Sequence, residues 1–382
     1  MDFELSQQQI MFRDMARKFA EQEIIPTLKD YERRDKCDTE IYKKLASLGL
    51  LGINLPEKYG GLDLDCTTMA IIMEQLSWGS FAVTSSVCGG PGPTVLLTAG
   101  TEEQKQKYLP AQCKGEKIIV MAVNEPNAGS DIAGMETTAV PKGDRWVING
   151  NKIFIGNAGI ADMVIVAAKT DKGSGARGIS MFIVDKGTPG LSITNIPGML
   201  SPRTGDVGEI RFTDCTVPRE NLVGEIGRGL KSAMNGIGNA RLGISAGCLG
   251  ISQSCLEACL KYTKERHQFG KPLASFQLVQ GVIAEMAIQV EAARWLVYRC
   301  ADLRTRGVSH TKELSYAKYF TTELAIKVSA EAIKLHGAYG LVDDYLLEHH
   351  YRDAIMSTMV GGTPNMHKLI IGRELLGIDA VR

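Results

Sequence analysis

Two clusters in the sequence combine residue types able to hold an anionic ligand. Glu125-Pro126-Asn127-Ala128-Gly129-Ser130-Asp131 follows a short apolar run, Ile118 to Val123. Gly129 permits close backbone approach, and the amides and hydroxyl around Ser130 can donate to a group such as pyrophosphate. A simple turn capped by Ser130 or Asp131 is the plainer account of the same residues. The second cluster is Arg266-His267-Gln268-Phe269-Gly270-Lys271-Pro272, with Gln277 beyond it. There an arginine can hold a phosphate while the neighbouring ring supports a planar base, or a helix simply ends in solvent. Glu348-His349-His350 near Arg352-Asp353 has metal-ligand residue types, but adjacent helical residues point to different faces, so surface or subunit-contact histidines are expected and no metal. The sequence contains no H-E-x-x-H and no Walker lysine; its G-x-S-x-G, Gly243 to Gly247, lies inside a helical run and not at a strand-to-helix turn, and its G-x-G-x-x-G, Gly173 to Gly178, leads into a strand-like run and not a helix. Serine hydrolases, zinc peptidases and the usual nucleotide loops therefore have no support.

The elements that must position these clusters fall into three blocks. Up to residue 116 the chain reads as helices: Ser6 with Gln9 has capping-box spacing, and Met11, Met15 and Phe19 follow at helical intervals until Pro26, which should stop the run. Thr101-Glu102-Glu103-Gln104 marks another helix start. From 117 to 220 the period becomes that of strands, and Asn149-Gly150 between Trp146-Val147-Ile148 and Lys152-Ile153-Phe154-Ile155 predicts a hairpin. The segments 163–168, 179–184, 191–196 and 209–212 continue a sandwich-like or barrel-like β domain. From 221 to 382 long amphipathic runs, 278–303, 314–335 and 345–359, imply a four-helix bundle. The expected class is α+β, mostly helical, with the β domain between two helical ones.

Composition bounds the partners. The 382 residues carry 43 Lys plus Arg against 43 Asp plus Glu, so no general attraction exists for nucleic acid or an acidic membrane surface. Nine cysteines without a CxxC pair fit neither a disulfide framework nor a zinc ribbon. No stretch reaches the ~18 uninterrupted apolar residues of a membrane span, and the start, Met1-Asp2-Phe3-Glu4, has no basic and apolar leader pattern. A cytoplasmic protein without membrane insertion is expected.

Seven motifs now stand in one order: Glu125-Pro126-Asn127-Ala128-Gly129-Ser130-Asp131; Phe154-Ile155-Gly156-Asn157; Arg241; Arg266-x-Gln268-Phe269-Gly270; Leu335-His336-Gly337-Ala338-Tyr339-Gly340; Tyr351-Arg352-Asp353; and Gly361-Gly362-Thr363. In order and spacing they resemble the FAD-dependent acyl-CoA dehydrogenases over nearly the whole chain. The resemblance implies an oxidoreductase acting on the CH–CH bond of an acyl-CoA or enoyl-CoA thioester, a homotetramer, and exchange of electrons with an electron-transferring flavoprotein. By matching position, Met121, Val123 and Asn124 would line the flavin, with Phe154, Ile155 and Gly156 beside the ring. Gly129 and Ser130 would meet the pyrophosphate and the CoA portion of the substrate. Arg266, Gln268, Phe269 and Gln277, with Lys334, Gly337 and Ala338, would hold the adenosine diphosphate part of FAD bound by a neighbouring subunit. Thr363 and Asn365 would close the site. Ser130, Cys88, Gly238, Arg241, Gly361 and Gly362 would border the substrate.

The chain departs from the family's pattern where the carboxylate base is expected. That base normally precedes a Gly-Thr pair, and the position holds Gly361; the alternate seat, just before Arg241, holds Ala240. The catalytic residue is thus unassigned, and losing a general base usually costs ~10² to 10⁴ in rate. Asn124 and Gly156 also stand where hydroxyl residues are common. Within the family the chain resembles crotonobetainyl-CoA reductase in its Gly-Gly pair, in Phe276-Gln277-Leu278-Val279-Gln280 and in Gly372-Arg373. Sulfinopropionyl-CoA desulfinase also has glycine there but relies on an arginine in the pocket segment, where this chain has none. Three functions stay open: a dehydrogenase or enoyl-CoA reductase, a flavin-containing lyase without net oxidation, and a non-catalytic acyl-CoA-binding subunit.

Overall fold

A computed structural model describes residues 4–35, 37–85 and 90–380; Cys88, an expected substrate neighbour, lies outside them. The chain begins as expected, with the Ser6 hydroxyl accepting from the Gln9 amide (3.2 Å) and the Gln9 side chain accepting from the Ser6 amide (3.0 Å), which starts α1 (Gln7–Phe19). Pro26 does not stop the run. The helix widens into a π turn (Ala20–Ile24) and continues as α2 (Ile25–Arg34), so Pro26 falls in a first turn, where a missing amide hydrogen costs nothing. Then follow α3 (Thr39–Ser47), α4 (Cys66–Gly79), α5 (Phe81–Ser85), α6 (Pro91–Ala99) and α7 (Glu102–Cys113), the last opened by a Thr101–Gln104 capping box. α4 is apolar almost all round and accordingly buried almost all round.

The strands are β1 (Ile119–Ala122), β2 (Thr138–Lys142), β3 (Arg145–Ile155), β4 (Met163–Lys169), β5 (Ile179–Asp185), β6 (Leu191–Asn195), β7 (Gly208–Pro218) and β8 (Leu222–Val223). They form one sheet in the order β6-β7-β3-β2-β4-β5-β8, with β1 parallel to β4. Period-two alternation decides which face each residue takes. Met163, Ile165 and Ala167 of β4 pack with Val95, Leu96, Tyr108 and Leu109 of α6 and α7. Val164, Val166 and Ala168 pack with Trp146, Ile148, Ile210 and Phe212 of the curled half of the sheet.

The expected hairpin at Asn149-Gly150 is not there. β3 runs straight through both residues, because β2 and β7 pair with it on either side, and the irregularity is a bulge against β7 between Ile148 and Gly150. Glycine is required because a Cβ on Gly150 would lie 2.2 Å from Thr137 Oγ1. Asn149 exchanges hydrogen bonds with Asp214 across the bulge (2.7 and 3.1 Å). The chain turns instead at Gly143, between paired Lys142 and Arg145.

The C-terminal part is α8 (Gly229–Glu265), a two-residue ribbon of β9 (His267–Gln268) and β10 (Lys271–Pro272), α9 (Gln277–Thr305), α10 (Thr311–His336), α11 (Leu347–Ser357) and α12 (Pro364–Leu376). α8 through α11 share one core, including Cys255, Cys259, Met286, Val290, Val328 and Leu347. Among the described residues no helix is long and apolar enough to cross a membrane.

His349 and His350 are not surface residues: both are buried. α11 is enclosed on two sides, so each ring meets a different neighbour. His349 Nδ1 lies 2.8 Å from Glu32 Oε1, and His350 Nε2 lies 2.9 Å from Ser254 Oγ. Arg352 forks onto Glu32 (3.0 and 2.9 Å) and also holds Glu348 (2.7 Å), fastening α11 to α2. Burial alone would raise the Glu32 pKa, but the hydrogen bonds and charges of His349 and Arg352 outweigh it and bring the carboxyl to about 2. A carboxylate with a depressed native pKa contributes stability in full above its unfolded value and loses it as pH falls through the native value. Glu32→Gln should therefore remove about 3 kcal/mol at neutral pH and flatten the fall in stability between roughly pH 4.3 and 2. Urea unfolding across that range checks it; an unchanged acid limb would refute the assignment.

Candidate functional site

The loop after β1 is shaped by a buried ion pair. Lys152, fully buried in β3, donates to Glu125 Oε1 (2.7 Å) and to the Val123 carbonyl (3.0 Å). Glu125 further accepts from the amides of Glu136 (2.6 Å) and Thr137 (3.0 Å). Burial pushes Lys152 down to about 8 despite Glu125, while the lysine and the backbone amides overcome burial to hold Glu125 below the usual range. Paired bonds between Glu125 and Ala128 (3.0 and 3.1 Å) close a tight turn that leaves Gly129 and Ser130 exposed. Nothing lies within 4 Å of a Cβ added to Gly129, so the chain's own packing does not call for glycine there.

Beside this loop, Ile153 donates to the Asn124 carbonyl (3.0 Å), and Phe154 takes a left-handed φ of 56° with its ring 58 % exposed. An aromatic residue held in that region and turned outward carries a cost on the order of 1 to 2 kcal/mol. Met121 is half-buried and Asn124 exposed; Gly156 is half-buried. Val123 and Ile155 are packed inside the two sheet cores, so of these only the backbone can face a ligand. Strand alternation explains the difference, since Phe154 and Ile155 must point to opposite faces.

The second cluster gathers where α8 ends. Arg266 lies over the Tyr339 ring (5.7 Å to the centroid), and the ribbon turn presents Phe269, 93 % exposed with φ 54°, edge-on to Phe276. Gln268, Gln277, Lys334, Gly337 and Ala338 are exposed around it, with Lys334 paired to Glu331 (2.8 Å). Among the described residues no hydrogen bond or ring contact joins this cluster to the loop of residues 124–130.

The third place is the turn between α11 and α12. Gly361 and Gly362 have φ of 73° and 112°. Thr363 caps α12, accepting from the Met366 amide (3.4 Å), and Asn365 is exposed. Arg241 Nε donates to the Gly361 carbonyl (2.7 Å), with Ala240 and Gly238 half-buried on the same stretch of α8. Two further groups were not visible as site residues in sequence. Lys318 of α10, fully buried, donates to the Ser357 and Thr358 carbonyls at the end of α11 (2.8 and 3.4 Å) and to Gly362 (3.5 Å); burial brings it down to about 8. His367 is fully buried against the Gly361 and Gly362 backbone, and burial with the charges of Arg241 and Lys318 outweighs its backbone contacts there and pushes it down to about 3. A signal for Lys318 did exist: a lysine four residues after Leu314, on the face continued by Thr321 and Ala325, interrupts a core stripe. Among the described residues no carboxylate pairs with Arg241, Lys318 or His367. The turn thus offers cations and a neutral imidazole, and no oxygen base.

An exposed aromatic beside a polar strand end, a loop of open amides, and a separate patch with a cation over a ring are features suited to a long ligand with a planar ring system, a pyrophosphate and a base. Family models agree with this layout: "Acyl-CoA dehydrogenase, N-terminal domain" matches residues 6–116, the middle domain 120–215 and the C-terminal domain 227–376. The chain is 39% identical to an acyl-CoA dehydrogenase of Bacillus subtilis, covering 98% of this chain and 99% of that one. It is also 39% identical to the caffeyl-CoA reductase-Etf complex subunit CarC of Acetobacterium woodii, covering 97% and 99%. Butyryl-CoA dehydrogenase from Megasphaera elsdenii superposes with a TM-score of 0.95 at 36% identity, covering 98% and 100%. From its first helices to its last, this chain belongs to the acyl-CoA dehydrogenase family.

Proposed function

We propose that this FAD-dependent, CH–CH-directed family member reduces α,β-unsaturated acyl-CoA thioesters, exchanging the α-proton with water at a turn that carries no carboxylate. The observation behind this reading is the Gly361-Gly362 turn, where among the described residues the protein supplies Arg241, Lys318 and His367 but no carboxylate. FAD, when bound and reduced by the electron-transferring flavoprotein, would supply the hydride for the β-carbon. Met121, Asn124 and Phe154, with the backbone of Val123, Ile155 and Gly156, would hold its ring, while Gly129 and Ser130 would donate to the pyrophosphate and to CoA. Arg266, Gln268, Phe269, Gln277, Lys334, Gly337 and Ala338 would hold the adenosine diphosphate of a neighbouring copy's cofactor in a homotetramer. Thr363 and Asn365 would border the closed pocket, with Gly238 beside the substrate.

Reduction leaves an enolate that needs only a proton at the α-carbon, and water can provide it without an amino-acid acid. The subunit of the caffeyl-CoA reductase complex, similar over the whole chain, supports both the reductive direction and an electron-transferring flavoprotein as partner. Eight free cysteines among the described residues are in keeping with a cytoplasmic protein. To test the reading, the holoprotein is reduced without oxygen and mixed with a panel of enoyl-CoA esters. Return of the oxidised flavin spectrum with formation of the saturated ester is expected. The reading fails if no enoyl ester reoxidises the flavin, or if a β-substituted ester is cleaved with no electron donor present.

A further inference from the structure

We propose that Lys318 is a positioning residue for the reaction: from α10 it holds the Gly361-Gly362 turn against the end of α11. The inference rests on the functional reading above and assigns it a residue remote in sequence from the turn. Glycine samples more backbone conformations than any other residue, and here two stand in a row, at φ of 73° and 112°. Such a turn has little stiffness of its own, so its place is set by what grips it.

Both ends of the Lys318 side chain meet the turn. The ammonium donates to the Ser357 and Thr358 carbonyls (2.8 and 3.4 Å) and reaches the Gly362 carbonyl at 3.5 Å. Cε lies 4.0 Å from the point to which a Cβ on Gly361 would project, so the stem lies beside one glycine while the head holds the other. Lys152, the other fully buried lysine described, has the Glu125 carboxylate as its partner. Lys318 has carbonyls instead. The last carbonyls of a helix have no donor inside it and carry its negative end, so the end of α11 answers the buried charge. The ammonium in return ties α10, α11 and the turn at one point.

A grip by one charged group responds to pH. Burial, the largest cause, brings the ammonium down to about 8. The ionisable groups around it are Arg241 and Cys248 of α8, Glu323 of α10 and His367 of α12, with Asp353 of α11 acting on Cys248. Cys248 is pushed up to about 11 and His367 down to about 3, so neither changes charge between pH 7 and 9. As pH rises through about 8 the ammonium becomes an amine with two donors for three carbonyls, and Gly362, the most distant, is released first.

The test compares the holoprotein with Lys318→Met and Lys318→Arg from pH 7 to 9, each reduced without oxygen and mixed with an enoyl-CoA ester that reoxidises the wild-type flavin. In the wild type the rate at saturating ester should fall through about pH 8, while the half-saturating concentration stays nearly constant because CoA is held at another loop. Lys318→Met should be ~10-fold or more slower at pH 7, with no step at higher pH. Lys318→Arg, charged throughout, should recover part of the rate and also lack the step. Amide exchange across residues 357–363, corrected for its intrinsic pH dependence, gives a readout without turnover: protection should fall over the same range in the wild type and be low at both ends in Lys318→Met. If neither variant folds, the wild-type rate and exchange profiles decide. The inference is overturned, and the functional reading left standing, by wild-type profiles that are level from pH 7 to 9. A step that persists in Lys318→Met, or a folded Lys318→Met as fast as the wild type at pH 7, does the same. Failure of every enoyl ester to reoxidise the wild-type flavin would overturn the functional reading and this inference with it.

Discussion

Gly361→Glu is expected to raise the rate at which a saturated acyl-CoA bleaches the bound flavin by ~10²-fold or more, the usual worth of a positioned general base. The space and the charge are both in place. A Cβ at position 361 would lie 3.1 Å from Ile244 Cδ1 and 3.3 Å from Arg241 Cγ, atoms of flexible side chains that need to give only a few tenths of an ångström. Arg241 would keep the new carboxylate ionised, because a nearby opposite charge lowers a carboxyl pKa. The backbone cost is a φ of 73° imposed on a residue with a side chain, on the order of 1 to 2 kcal/mol, visible as a modest fall in Tm. Anaerobic stopped-flow at the flavin band reads the rate. A folded, FAD-loaded variant with no gain would show that more than the base distinguishes this site.

Lys152→Met should be the most destabilising single change near the loop of residues 124–130, costing about 3 to 5 kcal/mol, because it leaves the Glu125 carboxylate buried without its cation. Glu125 would keep the amides of Glu136 and Thr137, so the loop would loosen at the Val123 carbonyl, which also loses its donor. Retention of FAD through gel filtration should fall along with stability. Pairing the change with Glu125→Gln should recover part of the loss, since the amide keeps an acceptor for a backbone hydrogen bond and removes the stranded charge. Denaturant curves for the two single variants and the double variant decide it; strictly additive losses would mean that the pair is not a unit.

Local chemistry was readable wherever local interactions decide. The boxes at Ser6–Gln9 and Thr101–Gln104 involve side chains and amides three residues apart, and both appear as their spacing requires. Asn149-Gly150 misled because the same dipeptide serves a tight turn or a bulge, and only the neighbours β2 and β7 select between them. Pro26 misled because a π turn, a feature without a sequence signature, absorbs it. His349 and His350 read as surface residues because helix geometry separates them by about 100° but says nothing of whether both faces are covered. At the site, the Gly361-Gly362 pair was legible directly, and both residues take the positive φ that glycine favours. Lys318 was not, because it reaches the turn from α10, 43 residues before Gly361, and neither was His367, six residues after it, because nothing local says which face of α12 turns inward.

α8 gives the molecule a fixed internal ruler. Arg241 and the cap residue Arg266 belong to one uninterrupted stretch of 37 helical residues and its C-cap. Twenty-five residues at 1.5 Å each set them about 37 Å apart. On the proposed function the two arginines serve different ligand molecules, and a copy that lends its Arg266 end to a neighbour would thereby set how far its own acyl pocket stands from that neighbour's cofactor. A single residue inserted between them would turn one end by about 100° relative to the other, so evolution can retune either end by substitution while the count of residues between them stays closed to change.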